Sequence, residues 1–287
     1  MKTFLDCYPC ILCQAIEAMR MVGVAEERQY QVLHQVLGLM AELEPSLPPP
    51  YIAGQVHKLL KDETGNDDPY LAAKQNSTAE ALALYPMLKQ DLAQAVDPLE
   101  VAVRLSIAGN IIDFGVHQRQ GLTDTIERVL GQDFAINDMA AFTKNLSQAG
   151  SVLYLGDNAG ETVFDRILIE QLDIPVSYAV KGGAVINDAT LQDAQAAGLH
   201  HVAEIISSGS AYPGTVLENC SLEFRQIFDE AEMVIAKGQG NYESLMDVGR
   251  PVFFLLQVKC PIIAREIGAP LWSIVLKHGG NEKNLKF

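Results

Sequence analysis

The sequence predicts a chain in two parts: an all-helical domain over residues 1–148, then a three-layer α/β domain with a mostly parallel sheet over residues 149–287. Two observations carry this. The spacing of apolar residues changes near residue 148 from helical recurrence to short β-branched runs, and helical stretches follow most of those runs. Composition agrees, since 287 residues with 48% hydrophobic content suffice for two buried cores.

In the first part, apolar residues recur at i, i+3 and i+4 over Ile11 to Met21, Gln29 to Leu43, Ile52 to Leu60, Ser77 to Val96, Leu99 to Phe114, Thr123 to Leu130 and Met139 to Leu146. Pro45, Pro48, Pro49 and Pro50 separate the second helix from the third, and Ser77 with Glu80 has the spacing of a capping box opening the fourth. No period-2 segment is evident before residue 148. Beyond it, strands are expected at Ser151 to Leu155, Val176 to Val180, Val202 to Ile206, Met233 to Ala236, Val252 to Leu256 and Ser273 to Leu276. Helices are expected at Glu161 to Leu172, Ala189 to Ala197, Ser221 to Ala231, Tyr242 to Val248 and Pro261 to Ile267. Strands alternating with helices imply right-handed crossovers and a sheet covered on both faces, with functional groups beyond the strands' carboxyl ends.

Charge narrows the partners. The net charge is −15, and both halves are acidic, with 11 basic and 19 acidic residues up to residue 150 and 10 and 17 after it. Such a surface repels phosphate backbones and anionic lipid heads, so neither nucleic acid nor a membrane is expected as a partner. No run approaches the ~20 apolar residues of a membrane helix. The opening segment, with Asp6 and three cysteines where a secretory signal would be apolar, makes a cytoplasmic location the expectation. An anionic substrate would need local attraction, from a metal ion or a helix N-terminus.

The residues that follow the strands supply it. Strand ends lead into Gly156-Asp157-Asn158-Ala159-Gly160-Glu161, Lys181 to Thr190, Ser207-Ser208-Gly209-Ser210 and Lys237-Gly238-Gln239-Gly240-Asn241-Tyr242-Glu243. Oxygen ligands (Asp157, Asn158, Asp188), the ammonium of Lys237 and free backbone amides thus converge on one edge, as a divalent cation facing a phosphate requires. Two carboxylates and one amide leave such an ion open positions for a phosphoryl oxygen and a water. Lys237 is a point charge for a phosphate oxygen, with Gly238 freeing the backbone beside it. The bland reading of any one such turn is a helix N-cap, and Asn187-Asp188-Ala189-Thr190 alone reads that way. Four polar turns at one sheet edge favour metal and phosphate. Gly238-Gln239-Gly240 lacks the third glycine of a dinucleotide fingerprint and follows the wrong strand.

Together, Gly156 to Glu161, the Lys181-Gly182-Gly183 to Ile186-Asn187-Asp188-Ala189-Thr190 run and Lys237 to Glu243 resemble the three signatures of the metal-dependent damage-control phosphatase family. Asp68-Pro69-Tyr70 with Lys74, and Ala108 to Gly115, extend the resemblance into the helical half. The resemblance implies a helical domain capping a Rossmann-like α/β domain, and hydrolysis of phosphorylated metabolites with Mg²⁺, Mn²⁺, Co²⁺ or Ni²⁺. It matches Asp157, Asn158 and Asp188 to the metal ligands and Lys237 to the phosphate-contacting lysine.

The expected activity is a metal-dependent phosphatase acting on small phosphorylated metabolites, sugar phosphates first. Asp157 and Lys237 are the catalytic pair. The backbone around Ser208, Gly209 and Gly238 binds phosphoryl oxygens, and Glu161, Asn187 and Asn241 join the substrate set from the same loops. Asn110 and Asp113, polar i, i+3 neighbours on an apolar helix, face the cleft and shape the pocket with Lys74. Metal-bound water and the Asp157 carboxylate both stand as possible nucleophiles. Two other classes are an S-adenosylmethionine-dependent carboxyl methyltransferase, disfavoured by the lack of an early glycine-rich loop, and a non-catalytic phosphometabolite-binding protein. Cys7-Tyr8-Pro9-Cys10-Ile11-Leu12-Cys13 resembles the cysteine-bearing microbial subfamily. Packing between the domains is the expectation for these thiols; a thiol metal site would need Cys220 or Cys260 brought close. The six histidines have no zinc-pair spacing and read as surface or core residues.

Overall fold

The computed structural model describes residues 1–111 and 122–280. Six helices come first: α1 (Cys7–Met21), α2 (Glu26–Glu42), α3 (Pro49–Thr64), α4 (Leu71–Ala93), α5 (Pro98–Ile111) and α6 (Leu122–Gly131). Then follow β1 (Phe134–Asn137), α7 (Met139–Leu146), β2 (Val152–Leu155), α8 (Thr162–Ile169), β3 (Val176–Val180), α9 (Leu191–Ala196) and β4 (Glu204–Ser207). The last elements are α10 (Leu222–Glu230), β5 (Met233–Lys237), α11 (Gly238–Leu245), β6 (Val252–Gln257), α12 (Pro261–Ile267) and β7 (Ile274–Gly279).

All six predicted strands form, in one sheet of order β1-β7-β6-β5-β2-β3-β4. Its strands from β6 to β4 run parallel, while β7 pairs antiparallel to β6 and parallel to β1. The central strands β2, β5 and β6 are buried along their whole length, as parallel strands covered on both faces must be. Alternate residues divide between two cores. Val152 and Tyr154 of β2, Ile235 of β5 and Phe253 and Leu255 of β6 pack with α4 to α8; Leu153, Leu155, Val234, Phe254 and Leu256 pack on the other side with Phe224, Phe228, Leu245 and Ile263.

Two expectations for the first half are corrected. It is not all-helical: Phe134–Asn137 pairs with β7 at the sheet edge. A strand of this length with burial alternating between intermediate and exposed gives too few residues for a period-2 signal, and only pairing makes it β. Among the described residues, α1 to α3 have a core of their own, built from Ile11, Met19, Val36, Ile52, Val56 and Leu60, whereas α4 to α7 contribute to the core beneath the sheet. The fourth helix also begins at Leu71, six residues before the expected cap. Ser77 is inside it, its Oγ donating to Lys74 O at 2.8 Å, because tertiary contacts of Lys74 fix the helix from its first turn.

His57 of α3 is 4% exposed, packed edge-on to Tyr70, and burial, then Lys61, push it down to about 4. It is therefore neutral in the fold and protonated near its ordinary value when unfolded. Unfolded chains bind the extra proton, so this contribution is complete above pH ~6.5 and disappears as pH falls towards ~4, up to about 3 kcal/mol. The difference in urea stability between the parent and His57→Leu is expected to shift by that amount between pH 7 and 4. A difference independent of pH would refute the assignment.

The sheet topology sets where a site can form. From β2 the chain moves outward through β3 to β4, then returns to the other side of β2 as β5. Loops leaving β2 and β5 therefore diverge, opening a crevice at their carboxyl ends. The α1–α3 bundle roofs it: Gln55 donates to Tyr212 Oη at 2.7 Å, the Tyr51 and Tyr212 rings lie 5.6 Å apart, and Lys61 donates to Ala184 O. Gly54 makes room for the Tyr212 ring.

Candidate active site

The loop after β2 and the strap from Lys181 to Thr190 are tied together by backbone. Ala189 N donates to Asp157 O at 2.8 Å, Ala159 N donates to Asn187 O at 2.9 Å, and Asn158 and Asp188 form an antiparallel bridge. Residues distant in sequence are thereby fixed side by side. Asp157, Asn158 and Asp188 line one cavity of about 340 Å³, with Asn110 and Asn187 beside them. Thr190 caps α9, forming a capping box with Asp193, so the bland and functional readings both apply to this strap, at different residues.

Lysines neutralise this acidic cluster from below and from the side. Asn110 Nδ2 donates to Asp157 Oδ2 at 2.9 Å and to Glu161 Oε1 at 3.2 Å, while Glu161 Oε1 accepts Asn158 N at 2.6 Å. Glu161 Oε2 receives Lys237 Nζ at 3.1 Å, and the same ammonium reaches Asp165 Oδ1 at 2.6 Å and Ser106 O at 2.9 Å. Asp165 in turn accepts Tyr154 and Tyr178 hydroxyls at 2.8 and 2.7 Å and Ser106 Oγ at 2.9 Å. Burial disfavours the Lys237 charge, but Asp165 and Glu161 outweigh it and hold the ammonium protonated.

Lys237 is consequently not where the sequence reading put it. It is fully buried, with its three donors engaged beneath the site, and it does not line the cavity. Among the described residues, the cation that lines it is Lys259, which follows β6 and donates to Asn110 O at 2.6 Å. Its signal was in the sequence: Lys259 sits beyond the fifth parallel strand's carboxyl end, one strand past the last loop read for function. Asp165 carries no such signal, since one acid in an apolar helix identifies no partner.

The other predicted residues divide in the same way. Gly238, with φ +75, is the point where a side chain would overlap Asp157 Oδ2 and approach Asn110 Nδ2, so the α11 start closes on the site only because it is glycine. Asn241 is buried as a loop tie, donating to Lys237 O at 2.7 Å and Gly156 O at 3.2 Å and accepting Thr215 Oγ1 at 2.7 Å. Ser208 bonds within its own loop, and neither it nor Gly209 reaches the cavity wall; Pro213 and Gly214 supply that part. Lys74 is buried away from the cavity, bridging Asp68 at 2.7 Å and Asp193 at 2.9 Å, and so fastens α4 to the α9 cap. Glu161 acts on Asn158 and Asn110, below the wall. Asp113 lies outside the described residues.

The donor set fits a hard divalent cation. Asp188 Oδ2 and Asn110 Oδ1 are buried without a hydrogen-bond partner, Asp188 Oδ2 having the Lys181 ammonium at 3.3 Å. Burial first, then Asp188, raises the Asp157 carboxyl, and burial raises Asp188 against the pull of Lys181. Two acids so placed repel each other until a cation lies between them. Among the described residues no group of three or more His, Cys, Asp or Glu is arranged to hold a metal, which distinguishes this carboxylate–amide set from a zinc-type cluster. Cys7, Cys10 and Cys260 also line the cavity, and Cys13 does not. For Cys7 and Cys10 a cavity wall takes the place of the expected interdomain packing, and Cys13 is exposed.

Residues 3–275 match the model of the damage-control phosphatase ARMT1-like domain. The chain is 36% identical to a damage-control phosphatase of Pyrococcus horikoshii, covering 93% of this chain and 96% of that one, and 32% identical to a damage-control phosphatase of Archaeoglobus fulgidus, covering 96% and 99%. A crystal structure of a DUF89 family protein from Pyrococcus horikoshii superposes with a TM-score of 0.90 at 33% identity, over 97% of this chain and 99% of that one.

Proposed function

Because the chain belongs to the damage-control phosphatase ARMT1-like domain family, we propose that it is a phosphatase of small phosphorylated metabolites, dependent on a divalent cation held by Asp157, Asn158 and Asp188. The observation that carries the reading is the gathering of these three residues and the Lys259 ammonium around one cavity. Mg²⁺, Mn²⁺, Co²⁺ and Ni²⁺ all suit oxygen donors of this kind. Bound there, such an ion supplies Lewis-acid stabilisation of phosphoryl charge. The protein's own groups orient the ester: Lys259 offers a cation to a phosphate oxygen, Asn110 holds the Asp157 carboxylate in place, and the Glu161–Lys237 pair fixes Asn158 from beneath.

Sugar phosphates stand first among substrates. The cavity volume suits a small ester, and Gln14 Oε1, buried without a hydrogen-bond partner on a residue of its wall, can accept from a hydroxyl group. The deciding experiment strips the protein with a chelator and measures phosphate release from a panel of sugar phosphates, nucleotides and simple aryl phosphates under each divalent metal. Turnover restored by metal supports the proposal. Binding without turnover under every metal would leave a phosphometabolite-binding protein instead.

Lys259→Ala is expected to raise KM for phosphate esters, and the inhibition constant of inorganic phosphate, by about ten-fold, with metal affinity changing less. Unaltered phosphate inhibition would remove Lys259 from the substrate site.

A further inference from the structure

Cys7 and Cys10 form the one sequence feature near the start of the chain that the chemistry above does not use. They occupy the first turn of α1 with Pro9 between them, and both line the cavity, with Ile11 and Gln14 continuing the same face. Neighbours at i, i+3 have Cβ atoms about 5–6 Å apart, and a disulfide needs about 3.8 Å. The adjustment falls on the least regular part of the helix. Cys7 N bonds Phe4 O at 3.0 Å and Tyr8 N bonds Leu5 O at 3.2 Å, three-residue turns that tolerate rewinding better than a full helical ladder. Cys10 is exposed and Cys7 half-buried, and neither is paired.

The geometry points to Cys7 and Cys10 as a reversible oxidation site: a dithiol in the cavity wall that closes to a disulfide under a peroxide and so reshapes the cavity. Cys10, on the more exposed of the two residues, loses its proton and attacks the peroxide; the O–O bond breaks, a sulfenic acid forms and one water leaves. The Cys7 sulfur then displaces the hydroxyl, which departs as a second water with the Cys7 proton. Two thiols lose two electrons and two protons, and one peroxide becomes two waters.

The Cys10 residue is exposed as a whole but its thiol is partly covered; that burial, then the Glu243 carboxyl of α11, holds the thiol up at about 11, and burial raises Cys7 as well; Asp6 and Cys13 from their own segment and Cys260, which lines the same cavity, are the other titratable groups facing them. Both sulfurs rest as thiols at neutral pH, so closure accelerates with rising pH. Closure draws in the wall formed by Cys10 and Gln14.

The full-length protein is treated with hydrogen peroxide at mildly alkaline pH, and its free thiols are alkylated before and after reduction. The expected result is loss of the mass of two hydrogens, with Cys7 and Cys10 protected until reduction while Cys13 and Cys260 stay alkylatable. Turnover of an aryl phosphate should fall about ten-fold, as a displaced cavity wall requires, and return with dithiothreitol. Cys10→Ser should keep its own untreated rate after peroxide. Thiols that remain alkylatable, or a bridge to Cys13 or Cys260, overturn the site; a bridge that leaves turnover unchanged, or loss of turnover in oxidised Cys10→Ser, overturns its effect on the cavity. The turnover arm rests on the phosphatase reading and the alkylation arm does not, so a bridged protein with no activity in either state tells against that reading alone.

Discussion

Asp157→Ala is expected to lower kcat/KM by about 10³-fold, equivalent to about 4 kcal/mol of transition-state stabilisation, while leaving the fold at least as stable as the parent without metal. The two halves of that statement have one cause. Asp157 stands beside Asp188 in a buried setting that raises its carboxyl, so removing it relieves repulsion in the metal-free protein. Asn110 Nδ2 keeps its second acceptor, Glu161 Oε1, at 3.2 Å. With metal the sign reverses, because the cation loses one of its two carboxylates. Thermal unfolding with and without Mn²⁺ separates these states: the parent should gain stability from the metal and the variant should gain far less. A variant with parental turnover, or one that unfolds without metal where the parent does not, would refute the role.

Lys237→Met is the second large effect, and it tests a correction. A lysine that only touched phosphate would, when lost, raise KM and leave stability alone. The buried position of Lys237 between Glu161 and Asp165 predicts the opposite: both acids would be left without a countercharge, a cost of about 3–5 kcal/mol, with a fall in Tm on the order of 10 °C. Activity should fall too, since Glu161 holds Asn158 N at 2.6 Å. Replacing Asp165 by Asn in the same chain should recover part of the lost stability, a coupling measurable by a double-mutant cycle. Parental Tm for Lys237→Met would return the lysine to the phosphate.

The burial of Lys237 follows from a side-chain direction that its place in the strand does not set. Its position at the end of β5 was legible, and so was its proximity to the loop after β2, because parallel strands put both at one edge. Its direction was not. Lys237 Nζ passes beneath the loop to acids on α8 and a carbonyl on α5, and no strand pattern says which way a side chain at a strand's last residue turns. Lys74 shows the same limit: it was read as a pocket residue, yet its partners are Asp68 and Asp193. Asp157, Asn158 and Asp188 were legible because backbone pairing, not side-chain reach, brings them together.

Taken alone, the sequence determined the order of helices and all but one strand, the parallel core of the sheet, and the strand-end loops that carry Asp157, Asn158 and Asp188 to one cavity, because period, strand-end position and glycine-rich turns are local properties that survive without neighbours. Tertiary structure alone decided that Phe134–Asn137 is a strand, that Lys237 and Asp165 form a buried charge pair while Lys259 faces the cavity, and that Cys7, Cys10 and Cys260 share a wall. Each of those depends on which long side chain meets which partner across the packed layers, and that is fixed by the balance of burial against countercharge in the folded molecule.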